Sequence, residues 1–217
     1  MDQETIIEKT IDYVKKVLFN AEGGHDWWHI YRVWKLSKNI AKTENVNMFV
    51  VELGALLHDI ADSKFYNGDE KIGPRKAREF LTSLNVQEDI IIHVENIILN
   101  ISFKGDRHIQ KFKSIELDVV QDADRLDAIG AIGIARTFSY GGYKGSEIYN
   151  PEIKPNMNMS KEEYIKNNPP TINHFYEKLL LLKEKMNTDT AKQIAEHRHQ
   201  FMEFFLDEFY EEWNGEL

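Results

Sequence analysis

Apolar side chains return at three- and four-residue spacing along most of this chain, and that rhythm admits an all-α fold and little else. Ile7, Ile11, Val14 and Leu18 share one face of a first predicted helix. Ile30, Val33, Trp34, Ser37 and Ile40 share a face of a second, and Val50, Leu53, Leu57 and Ile60 a face of a third. Pro74 after Gly73 suits the first turn of a fourth, with Ala77, Phe80, Leu81 and Leu84 inward. Residues 86–101 are rich in β-branched side chains, which leaves a strand open for part of them, but their length favours a helix. A further helix is expected from Ile115 to about Ser139, bent near Ala123. Gly141, Gly142, Gly145, Pro151 and Pro155 then predict a long irregular loop over 141–171. The C-terminal helices fill 172–217, the last starting near Thr188, whose hydroxyl can cap it. Its aromatic run, Phe201, Phe204, Phe205, Phe209 and Trp213, has the spacing of a core or helix–helix contact.

Composition narrows the function. With 27 basic and 36 acidic side chains the formal charge is −9, which repels nucleic acid and anionic membranes unless a local basic patch intervenes. No stable nucleic-acid binding and no membrane partner are expected, and an anionic substrate would need a cation to receive it. The absence of cysteine removes disulfides, Cys-based zinc sites and a thiol nucleophile. The first ten residues carry Asp2, Glu4 and Glu8 and lack the basic start and apolar run of a signal peptide. No stretch approaches the ~20 apolar residues of a membrane span. The expected location is the cytoplasm, as a monomer or homodimer.

Three segments concentrate chemistry. His58 and Asp59 end an apolar run that ought to be buried, where an ionised carboxylate is costly without a partner. A hydrogen-bonded His–Asp pair would satisfy them, and so would a divalent cation. His25 and His29 are four apart around Asp26, Trp27 and Trp28, and share a helix face. Asp122, Asp124 and Asp127 surround Arg125, and taken singly would be an acidic helix face. Together the segments offer two imidazoles and two carboxylates from three helices. That mixed donor set suits manganese, iron, cobalt or nickel better than magnesium, which prefers oxygen alone.

The ordered pattern H…HD…D, with HxxRV over 29–33, LLHDI over 56–60 and ADRL over 123–126, resembles the HD-domain metal-dependent phosphohydrolase superfamily across about 20–140. HDWWHIYRV over 25–33, HDIADSK over 58–64, QDADRLDAIGAIGIARTF over 121–138 and INHFYEKLLLLKEKM over 172–186 extend the resemblance to the YpgQ-like branch of small bacterial nucleotide pyrophosphohydrolases. It implies one domain over 1–217, an HD-domain helical bundle with additional C-terminal helices. It implies hydrolysis of (deoxy)nucleoside triphosphates to monophosphate and pyrophosphate. It also implies one divalent metal ion held by His29, His58, Asp59 and Asp124. Manganese is the expected ion, with iron, cobalt, nickel or magnesium as alternatives.

Around this set, Asp62 lies one turn after His58 at an acidic position of related nucleotide-hydrolysing domains, and is the candidate orienter or general base for water. Arg32 and Lys64 are the candidates for meeting phosphate charge. His25 is a candidate donor to a phosphate oxygen or support for His29, and Asp127 for holding a ligand histidine or touching substrate. Tyr140, Tyr143 and Lys144 are candidates for nucleotide contact from the glycine loop. Three rivals stand beside this reading. A zinc peptidase would use His25-Asp-Trp-Trp-His29 in place of H-E-x-x-H, but Asp is one methylene short and His58, Asp59 and Asp124 would have no purpose. A non-catalytic nucleotide-binding module is the second, and an HD-family nucleotidase or phosphodiesterase the third.

Overall fold

Short polar side chains mark helix starts where the periodicity places them. Asp2 accepts from the Thr5 amide at 2.8 Å, Asn47 from Phe49 at 3.1 Å, and Thr188 from Ala191 at 3.3 Å. A computed structural model of the chain describes residues 1–19, 26–61, 69, 71–101, 112–157 and 168–216. Among the described residues there are nine α-helices and no strand. They are α1 (Gln3–Val17), α2 (Trp27–Ile40), α3 (Met48–Leu57), α4 (Ile72–Ser83), α5 (Glu88–Asn100), α6 (Ile115–Asp127), α7 (Gly130–Lys144), α8 (Asn173–Glu177) and α9 (Asp189–Asn214). None is long and apolar enough to cross a membrane. The chain divides into two compact units, Met1–Asp124 and Arg125–Leu217.

In the first unit α3 is apolar except for Glu52 and sits at the centre, packed by α1, α2 and α5. Leu53, Leu56 and Leu57 have no exposed surface, and burying each contributes about 1.5–3 kcal/mol. The β-branched 86–101 segment resolves to a helix. The Gln121 amide donates to the Asn100 and Ile101 carbonyls at 3.0 and 3.2 Å, which closes its C-terminal end. The Arg78 fork binds Glu95 and Glu88, which ties α4 to α5.

In the second unit the structure departs from the periodicity twice. The helix expected to run from 115 to about 139 stops at Asp127 and restarts at Gly130, whose φ of +75° a side chain disfavours. The break is held by arginines: Arg136 donates to the Asp127 carbonyl and carboxylate, and Arg198 to the Leu126 carbonyl. The second departure lies at the glycines. The loop expected from 141 is helix as far as Lys144, so Tyr140, Tyr143 and Lys144 sit on the last turn of α7 rather than in a loop. A Cβ on Gly141 would lie 2.3 Å from Thr171 Oγ1, so this glycine serves a close packing contact, not a turn. Beyond Gly145, two backbone bonds, Thr171 N to Glu147 O at 2.8 Å and Ile172 N to Ile148 O at 3.0 Å, join the stretch after α7 to the one before α8.

The α9 aromatics split. Phe205 stacks on Phe175, and Phe209 on Trp213, but Phe201, Phe204 and Trp213 are exposed. Burial, with the Lys178 charge, holds the α8 imidazole of His174 down at about 4. A folded pKa below the unfolded one means full stability above about pH 6.5, lost as pH falls through about 4. The expected loss at this residue is about 3 kcal/mol between pH 7 and 4. Urea unfolding of wild type and His174→Gln at both pH values checks it: the variant should lose less on acidification, and equal losses would refute the assignment.

Candidate metal centre

The centre belongs to the first unit and is assembled from three helix positions. Asp26 caps α2, its Oδ1 accepting from the His29 amide at 2.9 Å, and so fixes where the helix begins and which way His29 leaves it. His29 joins Ile30, Val33, Ser37 and Ile40 on the buried face. His58 follows the last residue of α3, buried, and donates through Nδ1 to the Ala55 carbonyl at 2.8 Å. A carbonyl only accepts, so this bond puts a ring proton on Nδ1 and leaves Nε2, in the neutral ring, as an acceptor or metal donor.

That nitrogen faces a second imidazole nitrogen and carboxylate oxygens. His58 Nε2 is 3.3 Å from His29 Nε2. Asp124 Oδ1 stands 3.5 Å from His29 Nε2 and 3.9 Å from His58 Nε2. Donor atoms of His29, His58 and Asp59 all lie within 4.8 Å of one another. Lone pairs and carboxylates converging in this way repel unless a proton or a cation lies among them. Metal–nitrogen bonds of about 2.1 Å separated by an angle of about 90–110° place two nitrogens about 3.0–3.4 Å apart, which the observed separation matches. The donor set therefore fits a divalent ion. Such an ion would lower the pKa of bound water and polarise a phosphoryl oxygen.

Arg32 lies one turn along α2 from His29 and is half-buried. Asp62, Lys64 and His25 lie outside the described residues. In the second unit Asp127 is 1% exposed, with its Oδ2 2.6 Å from Arg136 Nη1. Tyr140 and Tyr143 are exposed, with the Lys144 ammonium 5.7 and 6.0 Å from their ring centres. Sequence reasoning missed two supporting groups, the Asp26 cap and the Ala55 carbonyl. The first had a signal, an Asp three residues before His29 at a helix start. A backbone acceptor leaves none.

The HD domain family model matches residues 27–129. An uncharacterized protein of Bacillus subtilis strain 168, YpgQ, is 38% identical over 200 residues, 92% of this chain and 89% of its own length. The crystal structure of an HD-superfamily hydrolase from Bacillus thuringiensis superposes with a TM-score of 0.79 at 46% identity, covering 98% of this chain and 99% of that one. The crystal structure of Bacillus subtilis YpgQ in complex with ADP gives a TM-score of 0.77 at 34% identity, covering 98% and 97%.

Proposed function

Since the chain belongs to the HD-domain family of metal-dependent phosphohydrolases, we propose that it hydrolyses (deoxy)nucleoside triphosphates to monophosphate and pyrophosphate, using one divalent ion, manganese first, held by His29, His58, Asp59 and Asp124. The observation that carries this reading is the convergence of two imidazole Nε2 atoms and the Asp124 carboxylate within 3.9 Å. The ADP complex of the similar YpgQ supports a nucleotide ligand.

In the reaction, water oxygen bonds to the α-phosphorus and the bond from that phosphorus to the α,β-bridging oxygen breaks. The water's proton passes to Asp62, assigned as general base, and pyrophosphate leaves with the bridging oxygen. Arg32 and Lys64 meet the charge that develops on the phosphoryl oxygens. His25 donates to a phosphate oxygen. The exposed Tyr140 and Tyr143 rings with Lys144 have the chemistry of a base and phosphate receptor. These substrates are cytoplasmic metabolites, and the reading places the enzyme there.

Metal-stripped protein, incubated with ribo- and deoxyribonucleotides and with manganese, cobalt, nickel, magnesium or no metal, tests the reading. The expected result is monophosphate plus pyrophosphate, seen only with metal, when chromatography and a pyrophosphate-specific assay follow the products. Nucleoside plus phosphate from monophosphates would move the protein to the nucleotidases. Tight nucleotide binding without turnover under any metal would make it a regulatory module.

A further inference from the structure

The chain that leaves α7 is pinned against the two helices that follow it, without closing on them. Asn150 makes a turn of it: its Oδ1 accepts from the Glu152 amide at 3.0 Å and its carbonyl from the Ile153 amide at 3.1 Å. Two bonds fasten this turn to α8. The Asn173 side-chain amide donates to the Ile153 carbonyl at 3.0 Å, and the Asn156 backbone amide to Glu177 Oε1 at 2.9 Å. Tyr149 is set edge-on against α9, its ring centre 5.3 Å from that of Tyr210 and 5.0 Å from that of Trp213. Between these anchors the second unit holds open a cavity of about 340 Å³.

The lining has a definite chemistry. Three phenol rings, of Tyr149, Tyr176 and Tyr210, supply its aromatic walls. Burial, with a hydrogen bond to Tyr176, raises the Tyr210 phenol above its ordinary range, so that hydroxyl stays neutral. Among the described residues that line the cavity Lys154 alone is charged, and no described acid pairs with its ammonium. Asn173 is 1% exposed and spends one amide hydrogen on Ile153; its other hydrogen and its oxygen have no partner among the described residues. Size narrows the occupant. Small-molecule sites run from about 300 to about 1,000 Å³, and this one has room for about eleven waters at roughly 30 Å³ each. That is the space of one substituted ring, not of a base, a sugar and a phosphate together.

We propose that this cavity is a binding site for a small aromatic carboxylate, whose ring packs among the three tyrosines, whose carboxylate meets Lys154 and whose polar substituent bonds the Asn173 carboxamide. One unpaired ammonium matches one negative charge, and a second charge among neutral walls would be stranded. None of these residues has a part in the proposed hydrolysis.

The full chain, metal-loaded and metal-stripped, would be titrated calorimetrically with benzoate, para-hydroxyphenylacetate and indoleacetate, and with para-hydroxyphenylacetamide as a neutral match. Saturation-transfer NMR reports contact with the ring protons. Saturable one-site binding of at least one acid is expected, the same with and without metal, and the amide should bind about fivefold more weakly than its acid. Lys154→Gln should weaken the acid about fivefold and leave the amide unchanged, which isolates the charge pairing. Tyr176→Leu should weaken both about fivefold, and Tyr176→Phe should restore most of that. Circular dichroism establishes that each variant is folded. No saturable binding of any of the three acids, or binding indifferent to Lys154→Gln and Tyr176→Leu, overturns the proposal. So does binding that disappears with the metal, which would place the carboxylate on the metal centre. Equal affinity for AMP, lost in Tyr176→Leu, would make the cavity a nucleotide site instead. The readout needs neither nucleotide nor turnover, so its failure is separate from any failure of the hydrolytic reading.

Discussion

Replacing Asp59 with alanine is expected to remove bound metal and turnover together. Asp59 follows His58 at the end of α3, is half-buried, and brings a carboxylate to within 4.8 Å of both imidazole donors. Without it the remaining donors carry less negative charge toward a divalent ion. Losing several kcal/mol of transition-state stabilisation, about 4, corresponds to a rate loss of about a thousandfold. Metal content by elemental analysis after dialysis, and kcat/KM with the nucleotide turned over by wild type, measure the two effects. The variant should keep its helical content, because α3 is held by Leu53, Leu56 and Leu57 and not by its terminal acid. An Asp59→Ala protein that retains stoichiometric metal and full turnover would remove Asp59 from the centre.

Asp127→Ala should damage stability far more than any step of catalysis. The carboxylate is 1% exposed and bonds the Arg136 guanidinium at 2.6 Å, while that same arginine binds the Asp127 carbonyl across the break between α6 and α7. It also supports Arg198, whose guanidinium burial pulls down from its ordinary value while the Asp127 charge pushes it back up. Removing the acid leaves two cations without their shared counter-charge at a helix end. A loss of about 3 kcal/mol is expected, toward the low end for breaking a buried ion pair because Arg136 keeps some access to water. Urea unfolding of wild type, Asp127→Ala and Asp127→Asn gives the values, with the amide variant in between. A variant of undiminished stability whose KM rises would return Asp127 to the substrate-contacting role that its spacing from Asp124 suggests.

These two aspartates show where sequence is informative and where it stops. Asp59 stands beside His58 after an apolar run, and the cost of burying it alone already asks for a partner. Asp127 stands three residues from Asp124 on the same helix, a spacing that fits either a shared site or an acidic helix face. The fold assigns Asp127's carboxylate to Arg136, a residue nine positions on. The last turn of α7 teaches the same lesson about glycine. Gly141, Gly142 and Gly145 look like a loop because glycine is a poor helix former, yet only Gly145, at φ +67°, ends the helix. Gly141 is small because Thr171 lies against it, thirty positions away.

By itself the sequence determined the all-α class, most helix starts, and the order of the histidines and carboxylates that the HD-domain family uses. Each of those is a local property: a three- to four-residue rhythm, a capping side chain, or a run of adjacent residues. Only the tertiary structure decided that the His29 and His58 nitrogens face each other at 3.3 Å beside Asp124, and that the Ala55 carbonyl sets the His58 proton. The physical reason is direction. Periodicity says which face of a helix a side chain leaves from, while the point where side chains of different helices meet depends on how those helices pack.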